Sequence, residues 1–357
     1  MIKVRPEALQ EFTVGVISAM GAETQIADEV ARHLVLSNLS GHDSHGVMRI
    51  PLYIEMVDSG ALHPGSRPEI IRETPVSVLV DAHRGFGQYS TYFTLERCLE
   101  KAASTGLAVG AVRHSTHTGR MGTYPEAAAA RGFVCIATVG SAGPAYGLVA
   151  PFGGAGRFLS TNPWTVGIPA GSGAQPFLFD AATSTIAEGK NKLAQWKRLP
   201  VAEGLVLDAG GRPTTDPNQL YEGGTLTPLG GAQAGHKGYG FSLAAALLGS
   251  MAMIGAPDPT PAGALRDFNG AAGAFLVVID PGLFGDREEH AALVARTLGQ
   301  AKQVPPAPGV TEVLHAGEPE QRSRAERSRD GVPIPDDLWA EFGGIGARFG
   351  VPLPAPA

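Results

Sequence analysis

One stretch near the start of the chain, Ser44-His45-Gly46-Val47-Met48-Arg49-Ile50-Pro51-Leu52-Tyr53, groups a histidine, an arginine and a tyrosine. Histidine titrates near neutrality and can give or take a proton, and arginine can grip a carboxylate through two parallel hydrogen bonds. Pro51 suits the first turn of a helix, so Arg49 and Tyr53 would flank that turn beside His45. Proton exchange next to a bound anion is the chemistry this grouping could do. The alternative is a polar pair that caps the helix and hydrogen-bonds at the surface. A second cluster, Arg113-His114-Ser115-Thr116-His117-Thr118-Gly119-Arg120, follows a strand-like segment, at the kind of strand end where α/β proteins place their sites. Metal ligation is the rival use for these imidazoles, but no His-Glu-x-x-His motif or cysteine set accompanies them, so no metal is expected. Asp180, ending the strand-like Phe177-Leu178-Phe179, could orient a histidine or cap a helix over Ala181-Ala182-Thr183.

The elements that must position these residues are legible as periodic patterns. Residues 7–38 place apolar side chains at helical spacing in two helices parted near Gly21, which lead directly into the His45 stretch. Strands are expected at 76–80, 107–112, 134–139, 164–168, 177–180 and 275–279, and helices at 92–103, 124–131, 238–254 and 287–298. Residues 76–112 read as a βαβ unit, and the alternation predicts an α/β domain with a central sheet covered by helices. From residue 304 the chain is rich in proline, glycine and charge, and it ends in an apolar-periodic segment, 338–349, expected to dock on the N-terminal helices. The implied division is 1–70, 71–303 and 304–357, with no internal repeat.

Familiar nucleotide motifs fail when tested. Gly85-Phe86-Gly87-Gln88-Tyr89-Ser90 sits between a strand and a helix but lacks the third glycine or alanine, and the next strand ends in Arg113-His114 where a ribose-binding acid would stand. Gly230-Gly231-Ala232-Gln233-Ala234-Gly235-His236-Lys237-Gly238 approaches a phosphate loop, but His236 intervenes and no Ser or Thr follows the lysine. What survives there is a glycine-rich turn with Lys237 at the start of an apolar helix, fit either to hold an anion or to leave a lysine in solvent. The net charge of -6 lacks the basic stripe of a nucleic-acid binder, and two cysteines exclude a disulfide framework. The longest apolar stretch, 241–256, is shorter than a membrane span, and no secretory leader pattern opens the chain, so the expectation is a cytoplasmic protein with no membrane partner.

Taken together, the motifs resemble the type 2 malate/L-lactate dehydrogenases, a family that includes ureidoglycolate, sulfolactate and diketogulonate oxidoreductases and piperideine-carboxylate reductases. The resemblance spans most of the chain. Besides the Ser44 and His114 segments it rests on Pro151-Phe152-Gly153-Gly154, Thr161-Asn162-Pro163, Asp180-Ala181-Ala182-Thr183-Ser184, Gly189-Lys190, Leu207-Asp208, Pro228-Leu229-Gly230-Gly231 and His236-Lys237-Gly238-Tyr239-Gly240, in that order. It implies an α/β fold that binds nicotinamide without a Rossmann fingerprint, with a helical domain built from the N- and C-terminal segments. It also implies a homodimer that transfers a hydride between NAD or NADP and a small 2-oxo/2-hydroxy acid or a cyclic imino acid. By the same resemblance His45 is the proton donor with Ser44 and Asp180 as relay partners, Arg49 is the carboxylate clamp, and Tyr53, His117 and Thr161 contact substrate. The cofactor would meet His117, Thr118, Gly119, Arg120 and Met121, then Leu178 and Phe179, His236 and Lys237, and Ala316, Gly317, Glu318 and Arg322.

Departures from the family pattern fall at His114 and Thr118, where relatives carry Asn and Phe and where a change of polarity beside the nicotinamide or the substrate is implied. Others fall at Ser160, Ala316 and Gly147, the last near a substrate-binding lysine of some relatives. They leave open a non-catalytic ligand-binding or regulatory paralogue of the same fold. Arg322, Arg324, Arg327 and Arg329 would either grip a 2′-phosphate or form a solvated charged face, so NAD and NADP stay open.

Overall fold

The computed structural model describes residues 1–143, 147–171, 173–256 and 273–357. A short strand, β1 (Ile2–Val4), leads into α1 (Pro6–Ala19), whose Pro6 lies in the first turn, where a missing N–H costs nothing. Leu9, Phe12, Val16 and Ile17 form its buried stripe. Gly21, at φ +106°, turns the chain into α2 (Thr24–Leu39), which buries Ile26, Val30 and Leu34. Two 3-10 turns, Asp43–His45 and Val47–Arg49, then join α2 to α3 (Ile50–Asp58), with Pro51 in its first turn as the sequence predicts.

Next come β2 (Glu69–Thr74), β3 (Ser77–Asp81), α4 (Gly87–Thr105) and β4 (Leu107–Arg113). Strands β3 and β4 are parallel and α4 packs on both, which is the expected βαβ unit. After α5 (Thr123–Ala129), β5 (Val134–Gly140), β6 (Trp164–Ile168) and β7 (Phe177–Ala181) form an antiparallel run. A smaller lobe follows, with α6 (Glu188–Trp196) and the two-residue strands β8 (Val206–Leu207), β9 (Pro213–Thr214) and β10 (Thr225–Leu226) in a sheet of their own. Helix α7 (Gly231–Ser250) then precedes β11 (Gly273–Ile279), which inserts between β4 and β5, antiparallel to both. The order is β2-β3-β4-β11-β5-β6-β7, with one parallel pair. Helix α7 can lie against β5 because Gly140 has no side chain; a Cβ there would come within 2.5 Å of the Ala245 carbonyl carbon. Strand β2 evades the sequence reading because it is an edge strand whose Glu69, Arg72 and Glu73 are exposed, so it has no alternating apolar face.

The C-terminal part supplies α8 (Arg287–Lys302), α9 (Glu318–Asp330), β12 (Val332–Ile334) and α10 (Asp336–Phe349). Strand β12 pairs antiparallel with β1, setting Ile334 opposite Ile2. Phe342 and Ile345 of α10 enter the same core as the stripes of α1, α2 and α3, and the Phe12 and Phe342 rings lie 5.3 Å apart. Among the described residues no helix is long and apolar enough to cross a membrane.

Candidate active site

The turn carrying His45 is fixed from two sides. Asn38, at the end of α2, accepts the Val47 N–H at its Oδ1 (2.8 Å) and donates from Nδ2 to Asp43 Oδ1 (2.7 Å). Residue 46 has to be glycine, because a Cβ would overlap the Asn38 carboxamide. From the other side, Arg327 of α9 donates to the Asn38 carbonyl and to Asp43 Oδ1, each at 2.6 Å, while His42 Nε2 lies 3.1 Å from Glu320 Oε1. A helix absent from the sequence reading thus holds the residue on which that reading centres.

His45 is partly exposed, and its ring stacks on that of His117 with centroids 5.2 Å apart. His45 Nδ1 lies 3.1 Å from His117 Nε2, His117 Nδ1 lies 2.7 Å from Tyr53 Oη, and Gln88 Nε2 donates to Tyr53 Oη at 2.5 Å. Burial, followed by the nearby Arg49 guanidinium, pushes the His45 imidazolium pKa down to about 3 and holds that of His117 well below its ordinary value. Both rings are therefore neutral at physiological pH. Burial also raises the Tyr53 phenol, which stays protonated. Arg49 donates from Nε to the Ser44 carbonyl (2.6 Å), and among the described residues no carboxylate pairs with it.

Several expected contacts are placed elsewhere. Asp180 does not cap a helix; it lies inside β7, accepts the Gly122 N–H at 2.8 Å and sits 3.6 Å from Arg120 Nε. Neither its carboxylate nor the Ser44 hydroxyl hydrogen-bonds to His45 among the described residues; His117 takes the position of ring partner. Tyr53 is fully buried behind His117, so its hydroxyl meets Gln88 and His117 and not an incoming ligand. The Arg120 guanidinium is buried beside Glu126 and Asp180. Lys237 does not begin α7, which starts six residues earlier at Gly231; it and His236 are exposed a turn or more inside the helix. His114 turns away from His45, with its Nδ1 3.0 Å from Asp81 Oδ2, so its departure from the family pattern does not alter polarity beside His45. Thr118 is buried, with its carbonyl accepting the Tyr124 hydroxyl, and Met121 is buried beside it. The Thr161 carbonyl accepts the Thr183 N–H (2.9 Å).

The other expected cofactor segments do come together. Leu178 N–H donates to the Ala316 carbonyl (3.2 Å), and a Cβ on Gly317 would press on Leu178, with the exposed Phe179 next in the strand. Glu318, opening α9, pairs with Lys302. Each arginine of α9 has a carboxylate partner: Arg322 pairs with Glu312 and Arg329 with Asp330 on the exposed side, and Arg324 with Glu126 and Arg327 with Asp43 on the side facing the His45 turn and α5.

Three residues that hold this cluster in place escape the sequence reading: Gln88, Asn38 and His33. Buried His33 accepts the Arg120 N–H at Nε2 (2.8 Å), under Gly119, which has φ +75° and where any Cβ would strike the His33 ring. Gly46 and Gly119, where a Cβ would strike Asn38 and His33, were the available signal for those two, since glycines mark close approaches of backbone.

Two neutral imidazoles in contact, backed by a phenol and flanked by an arginine that has no carboxylate partner among the described residues, have the chemistry needed to exchange a proton beside an anion. The chain belongs to the malate/L-lactate dehydrogenase family, whose profile matches residues 4–342. Hydroxycarboxylate dehydrogenase B of Escherichia coli O157:H7 is 34% identical over 356 residues, covering 97% of this chain and 94% of that one. L-lactate dehydrogenase of Cupriavidus necator is 32% identical over 358 residues, covering 99% of each. Among solved structures, sulfolactate dehydrogenase from Methanocaldococcus jannaschii aligns with a TM-score of 0.87 at 31% identity, covering 99% of this chain and 98% of that one.

Proposed function

We propose that the protein is a nicotinamide-dependent oxidoreductase that interconverts a small 2-oxo acid with its 2-hydroxy acid, or reduces a cyclic imino acid. The observation that carries this reading is the His45–His117–Tyr53 chain at a partly open turn with Arg49 beside it. In this reading Arg49 takes the substrate carboxylate, and the nitrogen of His45 turned away from His117, Nε2, faces the oxygen or nitrogen on C2. Negative charge arriving beside His45 opposes the burial that keeps it neutral, so the ring can carry the proton it delivers. A bound nicotinamide supplies or accepts the hydride.

The residues present fit such a cofactor. Helix α7 opens on Gly230-Gly231 with no acidic side chain in its first turn and with His236 and Lys237 exposed just beyond, a setting for a phosphate. Thr118, Gly119, Leu178, Phe179, Ala316 and Gly317 would offer mainly backbone to the rest. The reading retains a non-Rossmann cofactor region at 71–303, a helical part from 1–70 and 304–357, and a cytoplasmic location. A non-catalytic paralogue is less well supported, because His114 faces Asp81 and the Ser160 N–H faces the Ser141 carbonyl, with neither touching His45.

The test is loss of NADH or NADPH absorbance with pyruvate, oxaloacetate, 3-sulfopyruvate and piperideine-2-carboxylate in turn. Turnover of at least one is expected, faster with NADH, since a 2′-phosphate would have to displace a carboxylate from an α9 arginine. No turnover of any, with cofactor still bound, would favour the paralogue.

We further propose a homodimer. Supporting it, Leu247, Met251 and Ile254 fall on one stripe of α7 and its extension and are 60%, 42% and 75% exposed. Sedimentation equilibrium should return twice the 36.9 kDa chain mass, and Leu247→Asp should shift it toward one chain; a wild-type monomer at micromolar concentration would refute the dimer.

A further inference from the structure

The Gly85-Phe86-Gly87-Gln88 segment fails as a dinucleotide fingerprint, yet the structure gives it a different task. Helix α4 begins at Gly87, and a Cβ there would overlap the Thr116 carbonyl oxygen and lie 2.6 Å from that of His117. Glycine therefore lets the start of α4 lie directly against the backbone that carries His117. The next residue, Gln88, is fully buried, with Nε2 on the Tyr53 hydroxyl and with Oε1 buried and without a hydrogen-bond partner among the described residues.

Every link in Gln88–Tyr53–His117–His45 can run in either of two directions. With the Gln88 amide donating, the Tyr53 O–H must point to His117 Nδ1. The His117 proton then resides on Nε2 and is donated to His45 Nδ1, and the proton of His45 itself sits on Nε2. With the carboxamide turned over, Oε1 accepts the Tyr53 O–H, His117 donates from Nδ1 to Tyr53 Oη, and His45 donates from Nδ1 to His117. His45 Nε2 is then bare. Both rings are neutral and the phenol keeps its single proton, so the chain has one free choice, and it is made at Gln88. Each orientation leaves one end of the carboxamide unpartnered, which brings the two closer in energy than in a site that satisfies only one.

We propose that Gln88 is a positioning residue that sets the proton polarity of this chain, so that His45 presents an Nε2–H to a carbonyl or a bare Nε2 to a hydroxyl according to which end of the carboxamide meets Tyr53. The catalytic use of this polarity rests on the oxidoreductase reading above; the polarity itself does not. A carboxamide suits the task because it is uncharged and carries a strong donor and a strong acceptor at interchangeable ends.

The test uses the full-length protein with 15N-labelled histidine, read by long-range 1H–15N correlation at pH 8, where ring-nitrogen shifts report the tautomer. The wild type should show His45 and His117 each protonated on Nε2. Gln88→Met, which keeps length and removes both hydrogen-bonding ends, should give mixed tautomers on both rings and lower kcat by ~10-fold or more with little change in KM. Gln88→Glu, held neutral by the same burial, restores a donor and an acceptor and should recover a single tautomer. If Gln88→Met misfolds, Tyr53→Phe removes the next link, and the same loss of preference is expected. Tautomers identical to wild type in the folded variants would overturn the proposal and leave Gln88 as filler. Absence of turnover by the wild type would sink the oxidoreductase reading instead, without touching the tautomer result.

Discussion

His45→Ala should lower kcat for 2-oxo-acid reduction by roughly 100- to 10,000-fold while leaving the Kd for NADH within about twofold, the range expected when one positioned proton donor is removed. The split follows from geometry. His45 reaches the open side of its turn from a frame made by Asn38, Asp43 and Arg327, and this frame does not depend on the imidazole. Trimming the ring therefore removes the proton donor and leaves the turn standing. Because the free-protein pKa is pushed down to about 3, His45 is already a base at every pH from 5 to 9. The kcat/KM for oxidation of the hydroxy acid, which reports the free protein, should therefore show no fall assignable to this ring as pH drops from 8 to 5. Steady-state kinetics in both directions, with NADH binding followed by fluorescence, decides the matter: retention of kcat within about threefold in His45→Ala would remove His45 from the chemistry.

A second large effect is expected on stability in mild acid. His33 and His117 are buried and held neutral well below the ordinary histidine value, chiefly by desolvation. In the unfolded chain the same rings take up protons near pH 6.5. Below that pH the unfolded state binds more protons than the folded one, so stability is fully present above pH 6.5 and is lost as pH falls toward the folded-state values. The slope is about 1.4 kcal/mol per pH unit for each ring, or about 3 kcal/mol per unit for the two. His45 acts in the same direction. Asp180 and Glu29, whose pKa values burial raises, oppose it as pH falls from their raised folded-state values toward the ordinary carboxylate range. Against a total of about 5–15 kcal/mol, two pH units consume much of the margin. Urea midpoints at pH 7.5, 6.5, 5.5 and 4.5 measure the slope, and His33→Gln, which keeps an acceptor for the Arg120 N–H, should flatten it by about one histidine's share. A midpoint that stays level from pH 7.5 to 5 contradicts the neutral-histidine account.

How much of this was legible depended on whether a feature leaves a periodic or local trace. The stripes of α1 and α2, the βαβ unit and the docking of 338–349 all have a buried face with a repeat, and sequence periodicity reports such faces directly. Helix α9 has none: its side chains are nearly all polar, and it is held by ion pairs to Glu126 and Asp43, partners from distant segments that no spacing rule connects. Strand β11 was recognised as a strand, but its insertion between β4 and β5 is a long-range choice that its own residues do not encode locally. In the site, the Ser44-His45-Gly46 stretch and Arg49 stood out by residue type, whereas replacing Asp180 by His117 as the ring partner of His45 depends on where β7 ends relative to the turn. Gln88 stayed hidden because a lone glutamine carries no chemical signature until its neighbours are known.

The pairing of β1 with β12, and the shared core of α1, α2, α3 and α10, has a consequence for synthesis. The helices that carry and support His45 leave the ribosome early, but the side of α1 around Phe12 stays uncovered until Phe342 emerges. At ordinary translation rates that interval lasts roughly 15 to 60 s, during which the sheet can assemble while the helical part waits with apolar surface in water. A nascent chain stalled before α9 would also lack Arg327, so its His45 turn would miss one side of its frame. The His45 turn thus gains both sides of its frame only after α9 has been made, which places the completion of the site late in synthesis although its histidine is made early.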